Sequence, residues 1–113
     1  MTQLPVDDNN QPIQVLRPRD GGAQTLVANN ASTSTRSTSF GSSTKVLSII
    51  SDQPIFFNLG NSTVTATTAT GHYLPASFYY DTSLIKESGN VDSHIAVLRA
   101  TTSNATVYIS EKI

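Results

Sequence analysis

Apolar residues in this chain come in short runs of alternating or paired positions, without the three-to-four spacing of a helix face, and the pattern strengthens after residue 45. The densest run is residues 45–60, KVLSIISDQPIFFNLG. Val46, Leu47, Ile49 and Ile50 are apolar on both faces of a first strand. Ser51, Asp52, Gln53 and Pro54 are turn residues, and Ile55, Phe56, Phe57 and Leu59 make a second strand ended by Gly60 and Asn61. The run predicts a hairpin. A strand apolar on both faces needs cover on both sides, which places it in the middle of a sheet.

Further strands follow at short intervals. Residues 63–68, TVTATT, set Val64 and Ala66 against threonines and predict a half-buried strand. Residues 77–85, SFYYDTSLI, put Phe78, Tyr80 and Leu84 on one face and Tyr79, Asp81 and Ile85 on the other. Ile95, Val97 and Leu98 carry a strand over residues 94–100, and residues 105–110, ATVYIS, form the last, joined to it by a hairpin at 101–104. Before residue 45 the signal is weaker: residues 25–29, TLVAN, predict a short strand, and residues 32–40, STSTRSTSF, an edge strand or a low-complexity connection. Alternation assigns Val46, Ile50, Ile55, Phe57, Leu59, Phe78, Tyr80, Ile95, Val97, Val107 and Ile109 to the core. Short strands separated by turn signals predict an all-β fold, an antiparallel β-sandwich or jelly roll.

Residues 1–24 differ from the rest. They hold Pro5, Pro12 and Pro18 of the five prolines, with Leu4, Val6, Ile13, Val15 and Leu16 as single apolar anchors between polar residues. This spacing predicts an extended Pro-rich N-terminal arm ahead of a β-sandwich domain at residues 25–113, the arm lying on its own domain or on a neighbour. A solvated tail is the plainer reading. Arg17 and Arg19 are placed to meet acidic groups on a partner. Within the domain, Leu47, Phe56, Tyr79 and Leu98, with Tyr108 beside them, fall opposite the predicted core and form with the arm a candidate partner-binding surface, which implies a homo-oligomer or another protein partner.

Composition narrows the function. A chain of 113 residues with 37% hydrophobic content supports one domain. Charged residues are 13% and the net charge is -1, too little field for nucleic acid. Cys is absent, which excludes disulfides and thiolate metal sites. No apolar run approaches the ~18 residues of a membrane span, and the first ten residues carry no export signal, so a soluble protein is expected. Ser and Thr make up 30 residues, which favours strands over helices.

Candidate chemistry is sparse. His72 and His94 are the only histidines, and Asp92 two residues before His94 is too little for zinc, so no metal or other cofactor is assigned. There is no G-x-S-x-G elbow, no G-x-G-x-x-G and no P-loop, and no catalytic residue is assigned. Sequons at Asn30, Asn61 and Asn104 match what this composition gives by chance. Tyr, Phe and His side chains could stack a sugar, as in β-sandwich lectins, but alternation favours core packing for Phe57, Phe78 and Tyr80.

The order of several pieces resembles a group of small β-sandwich virion proteins of tailed bacteriophages. These are Leu4-Pro5-Val6-Asp7 with Pro12-Ile13 and Leu16-Arg17-Pro18, Thr63-Val64-Thr65-Ala66-Thr67, Leu74-Pro75-Ala76 before an aromatic strand, Ile95-Ala96-Val97-Leu98, and Val107-Tyr108-Ile109-Ser110. The resemblance implies capsid decoration or cement in the virion, or a tail, fibre or head-to-tail component, binding the major capsid protein or another virion protein rather than catalysing a reaction. Ser77 departs from the group, where Gly is common after Leu-Pro-Ala. A carbohydrate-binding module is the alternative of another class.

Overall fold

A computed structural model describes residues 16–113. Within them the chain forms eight strands and no helix: β1 (Pro18–Ala28), β2 (Thr35–Arg36), β3 (Val46–Ser51), β4 (Ile55–Gly60), β5 (His72–Leu74), β6 (Tyr80–Ser83), β7 (His94–Arg99) and β8 (Ala105–Lys112). All pairings are antiparallel, in a first sheet ordered β1-β8-β3-β6 and a second ordered β2-β7-β4-β5. The chain changes sheet at every connection except β4 to β5. This wrapping is that of a jelly roll, so the all-β sandwich expected from the alternation is present.

Neither expected hairpin forms. β3 pairs with β6 and β8, β4 pairs with β5 and β7, and β7 and β8 likewise stand in opposite sheets. Each connection is an arch across the core. In the first, buried Ser51 donates its hydroxyl to the Gln53 carbonyl at 2.7 Å, and Pro54 has no N–H to offer a ladder with β3. The two arches bond to each other: the Asp52 N–H donates to the Thr106 carbonyl at 3.2 Å, the Thr106 N–H to the Asp52 carboxylate at 2.8 Å, and the Ala100 N–H to the Pro54 carbonyl at 3.1 Å. Turn residues that reverse a chain within a sheet and those that carry it across the core are the same residue types, so composition does not separate the two.

The inter-sheet core contains Ile55, Phe57, Ile95, Val97, Val107 and Ile109 as expected, and adds Leu26, Phe40, Leu74 and Leu84. β3 turns the other way round from the expected parity. Leu47 and Ile49 are fully buried, whereas Val46 and Ile50 are half-buried on the outer face. Both faces of β3 are apolar, so alternation cannot choose between them; the register with β8, Ile49 opposite Ile109, does. Phe78 and Tyr80, expected inside, are 53% and 39% exposed. Tyr80 opens β6, a four-residue edge strand, and Phe78 lies on the connection before it.

Residues 63–68 are not a strand. They belong to the β4–β5 connection, which folds over the outer face of the second sheet and buries Ala66 with Ala96 and Leu98, flanked by Phe56 and Val64. Its backbone is held by side chains instead of a ladder: Asn58 Nδ2 donates to the Thr65 carbonyl (3.1 Å), Arg36 Nε to the Val64 carbonyl (2.8 Å), and the Ala66 N–H to Ser34 Oγ (3.1 Å). Gly71 closes the connection where a Cβ would sit 2.6 Å from the Thr67 carbonyl and 2.7 Å from Phe56 Cβ, a gap only glycine fits. The strand predicted at residues 25–29 is the second half of β1, and the boundary expected after residue 24 falls inside that strand. A bulge between Pro18 and Ala23, with Gly21 at a φ of 73°, accommodates the extra residues.

The β3 parity sets a stability contrast. Leu47→Ala should cost about 2–5 kcal/mol, the usual penalty for a buried Leu, whereas Val46→Ala on the outer face should cost about 1 kcal/mol or less. Urea unfolding of the two variants measures this. Equal costs, or the larger cost at Val46, would contradict the register.

Candidate binding surface

The two outer faces are unequal. The second sheet lies under residues 61–71, whereas the described chain brings only Leu16 to Pro18 and Tyr79 to the face of the first, whose outer side chains include Val27 of β1, Tyr108 of β8 and Ile50 of β3. Val27, Tyr108 and nearby Tyr79 are 47%, 53% and 54% exposed. Tyr108 stands at the centre, opposite Thr25 on one side and Ile50 on the other. A depression of about 330 Å³ crosses this face, with Leu16, Pro18, Ile50, Tyr79, Tyr108 and Lys112 in its lining, so the start of the described chain runs along it.

A polar network fixes one rim. Tyr79 donates its hydroxyl to Ser48 Oγ (2.8 Å), Ser48 donates to the Asp81 carboxylate, and Lys112 Nζ donates to Tyr79 Oη (2.7 Å) while lying 3.5 Å from Asp81 Oδ1. The ammonium is 5.2 Å from the Tyr79 ring centroid, yet it is bonded at the hydroxyl, so the contact is an edge hydrogen bond and not a cation over the ring face. The bond to Tyr79 first, and then the Asp81 charge, hold the Lys112 pKa above the ordinary lysine value against the opposing effect of burial. Lys112 is therefore a cation at neutral pH and no base for Ser48; the network's effect is to pin the Tyr79 ring on the open face.

At the same end of the first sheet lies an ion pair that alternation could have flagged. Ala105, Val107 and Ile109 point inward along β8, and Glu111 continues their face into the core at 1% side-chain exposure. Its Oε1 accepts from Arg19 Nε (3.0 Å), the Gly41 N–H (2.7 Å) and the Thr44 hydroxyl (2.7 Å), and its Oε2 accepts from Arg19 Nη2 (3.0 Å). Burial pushes the Glu111 pKa up, but the bonds from Arg19, Gly41 and Thr44 with the Arg19 charge outweigh it and hold the carboxyl below its ordinary value. The residue thereby ties β1, β8 and the turn at residues 41–44 together.

The structure redistributes the residues expected to bind a partner. Leu4, Val6, Ile13 and Val15 lie outside the described residues. Leu16 and Tyr79 line the open face. Arg17 is exposed, pairs with Asp20 at 3.1 Å and exchanges backbone hydrogen bonds with Ile113. Arg19 is not free for a partner's acid, because it is taken by Glu111. Leu47 is in the inter-sheet core, and Phe56 and Leu98 pack under residues 61–71, which supply the cover that an exposed reading left out. Val27 and Ile50 are the apolar outer residues that sequence reasoning missed: Val27 sat in a weak run, and Ile50 followed the reversed parity of β3.

No protein-family model and no curated protein matches the chain. Among solved structures, the chain is similar to the solution NMR structure of a de novo designed double-stranded beta-helix, with a TM-score of 0.49 and 11% identity over 79% of this chain and 96% of that one.

Glu111 makes stability depend on acid pH. Its folded pKa is depressed, so its contribution is complete above the unfolded value near 4.5 and is lost as pH falls through the lower folded value. Glu111→Gln should cost about 1–3 kcal/mol at neutral pH, the range for weakening buried charged hydrogen bonds, and should flatten the decline below about pH 4.5. Denaturant midpoints measured from pH 7 to pH 2 for both proteins check this; parallel curves would contradict it.

Proposed function

We propose that this chain is a structural virion protein, a capsid decoration or cement subunit that acts by protein–protein binding. The observation that supports it best is the open outer face of the first sheet, where Val27, Tyr79 and Tyr108 stand about half exposed and the two tyrosines line a depression. Large apolar residues gathered on one sheet face are the usual mark of a surface meant to be covered. Aromatic side chains, here two tyrosines, are the kind that anchor such interfaces. The sequence resemblance supplies the setting, with the major capsid protein or another virion protein as partner and a homo-oligomer as the assembled form.

A tail, fibre or head-to-tail component would use the same face, and imaging of assembled particles separates these positions. The pinned Tyr79 fits a docking role, because a ring already held by Ser48 and Lys112 loses little rotamer freedom when a partner covers it.

Val27→Asp and Tyr108→Asp place a charge on the open face without touching the core, so the folded spectrum should persist. Each should weaken self-association or attachment to particles by about tenfold or more, while Ile85→Asp, at a residue also about half exposed but on the β6–β7 connection, should not. Sedimentation of the protein alone and with particles reads this. Full binding by both face variants would remove the outer face from the account.

A further inference from the structure

β5 ends the second sheet and β6 ends the first, and the chain crosses between these edges through residues 75–79. A cleft of about 340 Å³ lies between the edges, with Phe57, His72, Tyr73, Pro75, Phe78 and Tyr80 in its lining. Phe57, 6% exposed, is the floor, its ring centroid 5.7 Å from that of His72 and 6.2 Å from that of Tyr80, with both rings tilted against it. Phe78 and Tyr80 are 53% and 39% exposed, whereas the Tyr73 ring turns to the other side of β5, 5.6 Å from that of Phe56. Tyr79 turns to the docking face while its neighbours Phe78 and Tyr80 turn to the cleft.

Three features limit what can fill it. No Asp, Glu, Lys or Arg is in the lining, so the ligand is uncharged. The hydroxyl of Tyr80 and the ring nitrogens of His72 set polar groups beside an apolar floor. Phe78 is held in water by a connection whose Ser77 has a φ of 61°, a left-handed conformation unusual for a non-glycine residue, fixed by its N–H donating to the Ser51 carbonyl at 2.7 Å.

We infer that this cleft is a binding site for one neutral hexopyranose unit of a glycan. A pyranose has an apolar C–H face that stacks on aromatic rings and a periphery of hydroxyls that bond to phenols and imidazole. The apolar side chain of a protein partner would cover the rings but leave the Tyr80 hydroxyl and the His72 ring without partners, at a desolvation cost. The volume is at the small end of small-molecule pockets and fits one ring. Phe78 supplies a stacking face, and Tyr80 and His72 supply hydrogen bonds. The site is separate from the docking face, so a virion protein could hold a surface glycan while seated on the particle.

The test is a titration of the full ¹⁵N-labelled chain with methyl glucoside, methyl galactoside, methyl mannoside and N-acetylglucosamine, each to about 50 mM, since single-ring binding falls in the millimolar range. At least one sugar should shift amides at Phe57 and residues 72–80 saturably, leaving those around Tyr108 unmoved. Phe78→Ala should weaken binding about tenfold, and Tyr80→Phe, which removes only a hydroxyl, should weaken it severalfold with the spectrum intact. Absence of shifts with all four sugars, or shifts that these variants leave unchanged, overturns the site. So does loss of particle attachment in Phe78→Ala without any sugar response, which would make the cleft a protein anchor.

Discussion

The contact between two arches holds this fold together. Residues 52–54 and 100–104 each carry the chain across the core, and the bonds between Pro54 and Ala100 and between Asp52 and Thr106, at the start of β8, lock one crossing against the other. Because β3 and β4 leave the first crossing into different sheets, the apolar faces of consecutive strands meet across the core instead of lying side by side. The arrangement puts Leu47 and Ile49 over the β4 and β7 side chains, and burial of those residues is the main favourable term in the fold. It also fixes which side chains look outward, and so determines the two surfaces.

Those surfaces are treated differently by the chain. Residues 61–71 cover the second sheet, tied down through Arg36, Asn58 and Ser34, and there the outer apolar residues Phe56 and Leu98 form a second small core. Over the first sheet the described chain supplies only its beginning, Leu16 to Pro18, so Val27, Ile50 and Tyr108 keep their contact with water. Arg19 and Glu111 anchor that beginning beside the open face: a carboxylate with four donors around it fixes β1, β8 and the turn at residues 41–44 as one unit. A rigid frame with an apolar face suits binding, since little order remains to be imposed when a partner arrives.

Much of the fold was legible in the residues. Period-two alternation identified β4, β7 and β8 with their inward residues, and low charge with abundant Ser and Thr excluded a helical protein. Strand partners were not legible, because a turn such as Ser51–Asp52–Gln53–Pro54 is compatible with a hairpin or an arch and the choice is made by distant strands. β3 was misassigned where both faces are apolar, and residues 63–68 alternate as a strand does while resting on a sheet without joining it. Of the open face, alternation and the arm pattern point to Tyr79, Tyr108 and Leu16, but Arg19 meets its acid 92 residues away within the same chain, a pairing no local pattern encodes.

The most direct test of this account is the set of cross-strand nuclear Overhauser effects in the full chain. The account predicts antiparallel ladders joining residues 46–51 to 107–112 and residues 55–60 to 94–99, with none joining 46–51 to 55–60. A ladder between 46–51 and 55–60 would make that segment a hairpin, reverse which side chains face out, and contradict both the core and the open outer face.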